Sequence, residues 1–132
     1  MARYVYPAVF SPEKGGGYSV FFKDIEGCYA CGDSLEDAIF MAEDALGLML
    51  WHLEEEGKKI PSPSKAESIK LKKGEFINFI KADTIEYAKK VSNRAVKKTL
   101  SIPEWLNIKA EAAGVNFSQV LQDALKEKLG LV

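Results

Sequence analysis

The sequence predicts an α+β protein in which an antiparallel sheet with one long helix precedes a separate strand–helix–helix unit. Three observations predict this fold class. Short runs rich in aromatic and β-branched residues alternate with glycine-rich turns before residue 34. Apolar residues recur at helical spacing between residues 35 and 53, and a proline and a glycine divide the region after residue 96. We expect an α/β domain at 1–83, a linker or short helix at 84–95, and a small domain at 96–132.

The first strands form a meander. The runs Arg3–Phe10, Tyr18–Phe22 and Cys28–Cys31 favour strands, and Glu75–Ala82 reads as a fourth strand that rejoins the sheet. Pro7 cannot donate a hydrogen bond to a neighbouring strand. It therefore predicts that the first strand lies at an edge or contains a bulge.

The long helix carries clear signals at both ends. Ser34 is a good N-cap, Asp37 occupies the N3 position of a pattern similar to a capping box, and Gly57 is a plausible stop. A second, short helix is expected to start at Asp83 or Thr84. The apolar stripe of the long helix contains Leu35, Ala38, Ile39, Ala42, Leu46, Met49 and Leu53, and its opposite side carries Glu43, Asp44, Glu54, Glu55 and Glu56.

Charge is distributed unevenly along the 132 residues. Residues 1–60 hold 5 Lys/Arg and 11 Asp/Glu, whereas residues 61–132 hold 13 and 8. This split suggests two partners, a basic protein for the acidic half and a phosphate polymer for the basic half, although two solvated surfaces would give the same count. We find neither a signal-peptide pattern nor an apolar run long enough for a membrane span, and we expect a cytoplasmic protein without membrane contact.

The two cysteines are expected to be structural. Cys28 and Cys31 form a C-x-x-C motif, but on a strand the side chains of residues i and i+3 point to opposite faces. No second cysteine pair is present and His52 is the only histidine, so we expect neither a metal site nor a cofactor.

The last region has the order strand, helix, glycine turn, helix. Residues 96–103 read as a strand ended by Pro103, which is expected at the N1 position of the first helix. Gly114 ends that helix, and Asn116 caps the second, with Gln119 at N3. A lone strand has unpaired backbone groups on both edges. We therefore expect two copies to pair their strands antiparallel over four helices, which is the ribbon-helix-helix arrangement.

Strand alternation then assigns roles to individual side chains. In a ribbon-helix-helix dimer the two-stranded ribbon enters the DNA major groove. Lys97, Thr99 and Ser101 would face outward and read bases, and the free N–H groups near Asn116, Phe117 and Ser118 would bind a phosphate. Lys98 lies on the inward face of the strand, where it either extends its ammonium group to water or adds a phosphate contact. The dimer core would contain Leu100, Ile102, Trp105 and Leu121. The alternative is a helical hairpin packed on the first domain, with Lys97 merely solvated.

These residues resemble the HicB antitoxin family over nearly the whole chain. The resemblance is carried by Tyr6–Phe10, Gly17–Cys28 and Gly32–Ala38, while Leu100–Leu106 is similar to the ribbon-helix-helix subgroup. Lys23 and Glu26 depart from the pattern, since the family often has proline there. The resemblance implies a partial ribonuclease-H-like N-terminal domain, a HicA-type ribonuclease toxin as partner, and repression of the protein's own operon by binding operator DNA.

Two other functions remain open at this point. The N-terminal domain of a ribbon-helix-helix repressor could sense a small molecule. A nuclease of the ribonuclease H type is less favoured, because its site needs convergent carboxylates and the first strand contains no acid. Asp24, Asp33 and Glu36 lie in turns or at a helix start, where acids have ordinary structural reasons to occur. We therefore expect no catalytic residues and no enzyme activity.

Overall fold

The protein folds as two compact units, residues 1–94 and 95–132. The structure is a computed structural model, and it describes residues 2–131. The first unit contains β1 (Arg3–Pro12), β2 (Tyr18–Phe21), β3 (Tyr29–Gly32), α1 (Leu35–Glu55), a 3₁₀ turn (Ala66–Ser68), β4 (Phe76–Asp83) and α2 (Thr84–Val91). The second contains α3 (Glu104–Ala112) and α4 (Phe117–Leu129). This is a mixed α/β architecture, as the sequence predicts.

The four strands form one antiparallel sheet in the order β3-β2-β1-β4. The strand predicted to rejoin the sheet is β4, which pairs with β1 along its full length, from Phe10↔Phe76 to Arg3↔Asp83. β1 is therefore an internal strand, and the edge position predicted for Pro7 is wrong for the strand as a whole. β2 pairs with β1 only from Val9 to Pro12, so Pro7 has a hydrogen-bonded strand on one side only. The missing N–H of Pro7 is tolerated there for that reason.

The core lies between one face of the sheet and α1. Tyr6, Ala8 and Phe10 alternate along β1 and belong to this core, while Pro7 and Val9 between them are buried as well. Ala38, Ala42, Leu46 and Leu50 line the buried side of α1. The other buried apolar members are Val20, Phe22, Ile25, Cys28, Ile80 and Ala82. Leu35, predicted in the buried stripe, is instead 41% exposed because it is the first residue of the helix.

Local chemistry sets both ends of α1. The Ser34 side chain accepts a hydrogen bond from the Asp37 N–H at 3.1 Å, and the Asp37 carboxylate accepts one from the Asp33 N–H at 3.1 Å. The first N–H groups of the helix would otherwise be unsatisfied. At the other end Gly57 has a φ of +66°, which ends the helix as predicted.

The segment between α1 and β4 is held by contacts that are distant in sequence. The Tyr6 hydroxyl donates to the Pro61 carbonyl, and Asp24 accepts hydrogen bonds from the N–H and the hydroxyl of Ser64. The N–H bond to Asp24 is 3.0 Å long. These bonds join β1 and the β2–β3 turn to the segment after α1, and those from Ser64 give Asp24 a structural role.

Helix α2 packs on α1. Asp83 caps it by accepting from the N–H groups of Ile85 and Glu86, as predicted. The Tyr87 ring lies 5.8 Å from the Trp51 ring, and it fills the space that a side chain at Gly47 would occupy. The short helix therefore belongs to the first unit. None of the helices within residues 2–131 has an apolar stretch long enough to span a bilayer.

Candidate nucleic-acid interface and partner surface

The segment predicted to form the DNA-binding ribbon is not a strand in the single chain. Residues 92–103 have no regular secondary structure, and no strand within residues 2–131 pairs with them. The predicted strand at 96–103 is thus not formed here, because a strand needs a hydrogen-bonded neighbour and this segment has not joined the sheet of the first unit. Every residue of the segment is exposed.

The side chains predicted to read bases lie in this exposed segment. Lys97, Thr99 and Ser101 make no side-chain hydrogen bond or ion pair with the residues that the structure describes. Lys98 is exposed in the same way. All four residues therefore lie in one exposed segment, and their roles in DNA binding remain predictions.

The predicted phosphate site lies at the start of α4. The Asn116 side chain accepts a hydrogen bond from the Gln119 N–H at 3.1 Å, as predicted for an N-cap. The reciprocal half of a capping box is not formed, because the Gln119 amide donates to Asp123 at 2.9 Å instead. Phe117 and Ser118 are the first two residues of the helix, where backbone N–H groups have no partner within the helix. Such a terminus suits an anion.

One detail of the first helix differs from the prediction. Pro103 is the N-cap of α3, and the helix begins at Glu104. The ψ angle of Pro103 is 141°, which is extended rather than helical. Proline fixes φ but leaves ψ free, so a proline signal of this kind is uncertain by one position.

The residues predicted to form the dimer core are open to solvent in the single chain. Leu100 is 57% exposed, Ile102 46% and Trp105 62%, while Leu121 is half-buried. No residue of the second unit within 95–131 is fully buried. Isolated apolar residues on a surface are common, but a whole folded unit without a core is not.

The candidate metal-ligating side chains of the first unit lie apart from one another among the described residues 2–131. No three His, Cys, Asp or Glu side chains in that range come together as metal ligands. Asp33 and Glu36 are exposed at the start of α1, and Asp24 is engaged by Ser64. Glu54 was expected on the solvent side of the helix, but its carboxylate accepts a hydrogen bond from the Tyr4 hydroxyl at 2.7 Å. Burial, together with this carboxylate, raises the pKa of Tyr4 to about 12.

The outward side of α1 is a surface that the sequence pattern did not reveal. Phe40 is 68% exposed and Met41 48%, and Leu48 lies two turns beyond Phe40 on the same side. The available signal was that the helix contains six Asp or Glu and neither Lys nor Arg. Ordinary exposed helices carry both signs of charge, which pair at i and i+4.

The comparisons with known proteins agree with one another. Residues 6–124 match the family model described as a HicB-like antitoxin of bacterial toxin–antitoxin system. A curated relative, Antitoxin HicB 1 of Photorhabdus laumondii, is 41% identical over 58 residues, which are 44% of this chain. The matched part spans 37% of that relative's own length.

Solved structures show the same architecture. A toxin–antitoxin complex from Streptococcus pneumoniae contains a chain that is 29% identical, with a TM-score of 0.63 over 96% of this chain and 99% of that one. In a HicA3 and HicB3 toxin–antitoxin complex the values are 26% and 0.50 over 61% and 99%. The Burkholderia pseudomallei antitoxin HicB shares the fold at 22% identity and a TM-score of 0.54, over 96% and 98%. Since the family model covers both units, the chain belongs to the HicB-like antitoxins of bacterial toxin–antitoxin systems.

Proposed function

We propose that this protein is an antitoxin that neutralises a HicA-type, RNA-cleaving toxin through its first unit and represses its own operon as a DNA-binding homodimer. The observation that carries the proposal is the second unit, residues 95–132, which has no buried residue within 95–131 and begins with most of the unpaired segment 92–103. A unit in this condition lacks the buried apolar surface that offsets the entropy cost of folding. A second copy supplies that surface.

Pairing of two copies supplies both the missing strand neighbour and the missing apolar core. Antiparallel pairing of two 96–102 segments gives each strand its hydrogen-bonded neighbour. Leu100, Ile102 and Trp105, now exposed, come to lie between the ribbon and the four helices. Lys97, Thr99 and Ser101 alternate with the apolar residues, so they face away from that core. This is the ribbon-helix-helix arrangement, and its ribbon fits the major groove.

Phosphate contacts position the ribbon on the duplex. The N-terminus of α4, at Asn116, Phe117 and Ser118, suits one DNA phosphate for each copy, and Lys98 suits a second. Residues 61–132 have a surplus of Lys and Arg, which favours association with DNA. The small-molecule sensor is less favoured, because the partner named in the related complexes is a protein.

The complexes in which related chains occur support a toxin as the partner. Two of the similar structures are toxin–antitoxin complexes, and one of them contains HicA3 and HicB3. A toxin that cleaves RNA must attract phosphates and so carries basic residues, and the acidic residues 1–60 complement it. The meander followed by α1 supports the partial ribonuclease-H-like architecture for this unit. We assign it a binding role and no catalysis, since β1 contains no carboxylate.

The antitoxin role is tested by measuring both the mass and the RNase activity of the complex. The protein is co-expressed with the product of the adjacent reading frame, and the complex is sized while its RNase activity is followed. We expect a stable complex in which RNA cleavage is suppressed. Toxin that remains fully active in the presence of excess protein would refute the antitoxin role.

The dimer is tested by Leu100→Asp. A carboxylate in the shared core cannot be solvated there, so we expect the variant to run as a 14.6 kDa monomer in light scattering, while the wild type runs at twice that mass. Leu71→Asp makes the same chemical change at an exposed position of the first unit and should leave the dimer intact. A wild-type protein that is monomeric at micromolar concentration would refute the ribbon-helix-helix model.

A further inference from the structure

The outer face of the sheet, which points away from the core, carries a row of apolar side chains. The row crosses all four strands at one level, because Val9 on β1 pairs with Phe21 on β2 and with Ile77 on β4. Phe21 in turn pairs with Tyr29 on β3. Val9 is buried, but at the β3 end of the row Phe21 is 42% and Tyr29 65% exposed. We call Phe21 and Tyr29, whose ring centroids lie 5.5 Å apart, the aromatic pair.

A groove beside Phe21 is lined by lysines. It lies between the outer face of β1 and β2 and the segment 68–75, and its volume is about 500 Å³. Lys23, Lys70 and Lys72 line it, and all three are exposed. None of the three forms an ion pair with the residues that the structure describes. The positive charge of this groove, which we call the lysine groove, is therefore open to a ligand.

One carboxylate also lines the lysine groove. Glu75 accepts a hydrogen bond from the Ser11 hydroxyl at 2.5 Å through Oε2, and one from the Lys72 N–H at 2.8 Å through Oε1. These two bonds lower the pKa of Glu75, so the group is charged at neutral pH. An ionised carboxylate has about four acceptor positions. Glu75 can therefore accept a further hydrogen bond from a hydroxyl group in the groove.

This combination of groups selects the kind of ligand. Exposed aromatic rings on a sheet stack unpaired bases, and lysines neutralise the phosphates that join those bases. A duplex hides the faces of its bases, so only a single strand uses both features. A twofold contact between two outer faces would bring the lysines of one groove toward those of the other, and like charges repel. The Glu75 carboxylate favours RNA over DNA, because the ribose 2′-hydroxyl is a donor that DNA lacks.

We propose that the outer face of the first unit binds single-stranded RNA. A base stacks on the aromatic pair, neighbouring phosphates lie against Lys23, Lys70 and Lys72, and a ribose 2′-hydroxyl donates to Glu75. This inference goes beyond the proposed function, because the site needs neither the toxin nor the operator-binding segment of the second unit. It gives the protein direct contact with the class of molecule that the proposed toxin cleaves.

The aromatic part is tested with a fluorescein-labelled oligouridylate of about ten nucleotides, titrated with the full-length protein while fluorescence anisotropy is followed. Tyr29→Ala removes the more exposed ring, so we expect the Kd to rise at least about fivefold. Phe40→Ala is the matched control, because Phe40 is 68% exposed on α1, and it should leave the Kd within about twofold of the wild type. Wild-type protein that does not bind the oligouridylate, or equal losses in both variants, would overturn the proposal.

The electrostatic part is tested by the double variant Lys23→Glu/Lys70→Glu. The control is Lys59→Glu/Lys90→Glu, which changes the net charge equally at exposed positions outside the lysine groove. We expect the first variant to bind the oligouridylate at least about tenfold more weakly than the control, and with a flatter dependence of the Kd on salt concentration. Equal losses in the two variants would mean that only net charge matters, and would overturn the assigned site.

The assignment to RNA is tested with an oligodeoxyuridylate of the same length, which differs from the first probe only in lacking the 2′-hydroxyl groups. We expect it to bind more weakly to the wild-type protein, because Glu75 then loses its donor. Equal affinity for the two probes would overturn the choice of RNA and the role of Glu75.

Two further measurements distinguish this face from the other proposed surfaces. Tyr29→Ala should keep the operator binding and the oligomeric mass of the wild type, and Lys97→Ala should keep its affinity for the oligouridylate. A loss of oligouridylate binding in Lys97→Ala but not in Tyr29→Ala would place RNA on the second unit and overturn the proposal. A changed mass in Tyr29→Ala would identify the outer face as an interface between copies, and would overturn it as well.

Discussion

At the scale of single residues, Gly32 explains why the turn from β3 into α1 needs a glycine. A Cβ atom built there would lie 2.3 Å from the Ala38 nitrogen and 2.7 Å from the Ala38 Cα. Both are backbone atoms of the first turn of α1, so no side chain can move aside. The requirement at Gly32 is therefore for space, whereas Gly57 is needed for its positive φ.

This contrast gives a stability prediction. Gly32→Ala should lower the free energy of unfolding by about 3 kcal/mol or more, because it forces the sheet away from the helix. Gly57→Ala meets no atom within 4 Å and should cost only about 1 kcal/mol through its left-handed conformation. Urea titration of both variants measures the difference, and equal midpoints would contradict the packing argument.

The two cysteines should differ sharply in reactivity. Burial raises the pKa of the Cys28 thiol from 9.0 to about 11, so at pH 8 it is protonated and shielded, while Cys31 is exposed. A thiol reagent at pH 8 should label one cysteine per native chain and two per unfolded chain.

The same raised pKa affects stability. Because the folded state holds the Cys28 proton more tightly, this group makes the free energy of unfolding fall as the pH rises from about 9 to 11. Rapid labelling of Cys28 in the native Cys31→Ser variant would contradict the burial of this thiol.

At the scale of elements, the sequence predicts those features that depend on neighbours in the chain. The caps by Ser34, Asp83 and Asn116 appear as predicted because each needs only the N–H groups two or three residues ahead. β3 starts one residue later than predicted because the Cys28 N–H bonds the Ile25 carbonyl and closes a turn.

Features that depend on distant residues were not predictable. Tyr87 fills the space above Gly47, forty residues earlier in the chain, and no local pattern marks that contact. The exposure of Phe40 likewise follows from which side of α1 meets the sheet. Of the candidate DNA site, the sequence predicts the chemistry of Lys97 and Ser101, but the ribbon itself depends on a second chain.

The ribbon element has its own test. Lys97→Ala should weaken specific operator binding by about 1–3 kcal/mol and relax the preference at one base pair, because one donor to base edges is lost. Lys73→Ala removes the same charge from a turn of the first unit and should leave the footprint unchanged. The affinity of the wild-type protein for operator DNA should in addition fall steeply as the salt concentration rises, because DNA binding releases counterions. Unchanged affinity and footprint in Lys97→Ala would remove this side chain from the reading face.

At the scale of the whole molecule, the two units have different sources of stability. The first has a core that closes within residues 1–94, from Tyr6 on β1 to Ala82 on β4. The second has its large apolar side chains exposed in the single chain. In the proposed antitoxin, folding of the second unit is therefore linked to dimer formation, and its stability depends on protein concentration.

A chain that ends at Arg94 separates the two activities. Every fully buried residue within 2–131 lies at or before Thr84, so the truncated protein should fold with a cooperative thermal transition. It should be monomeric, since the dimerising segment is absent, and its melting temperature should be independent of concentration, unlike that of the second unit. It should still suppress RNA cleavage by the toxin while failing to shift operator DNA in a gel. If the truncated protein folds but leaves the toxin active, the second unit takes part in neutralisation and the division of labour between the units is wrong.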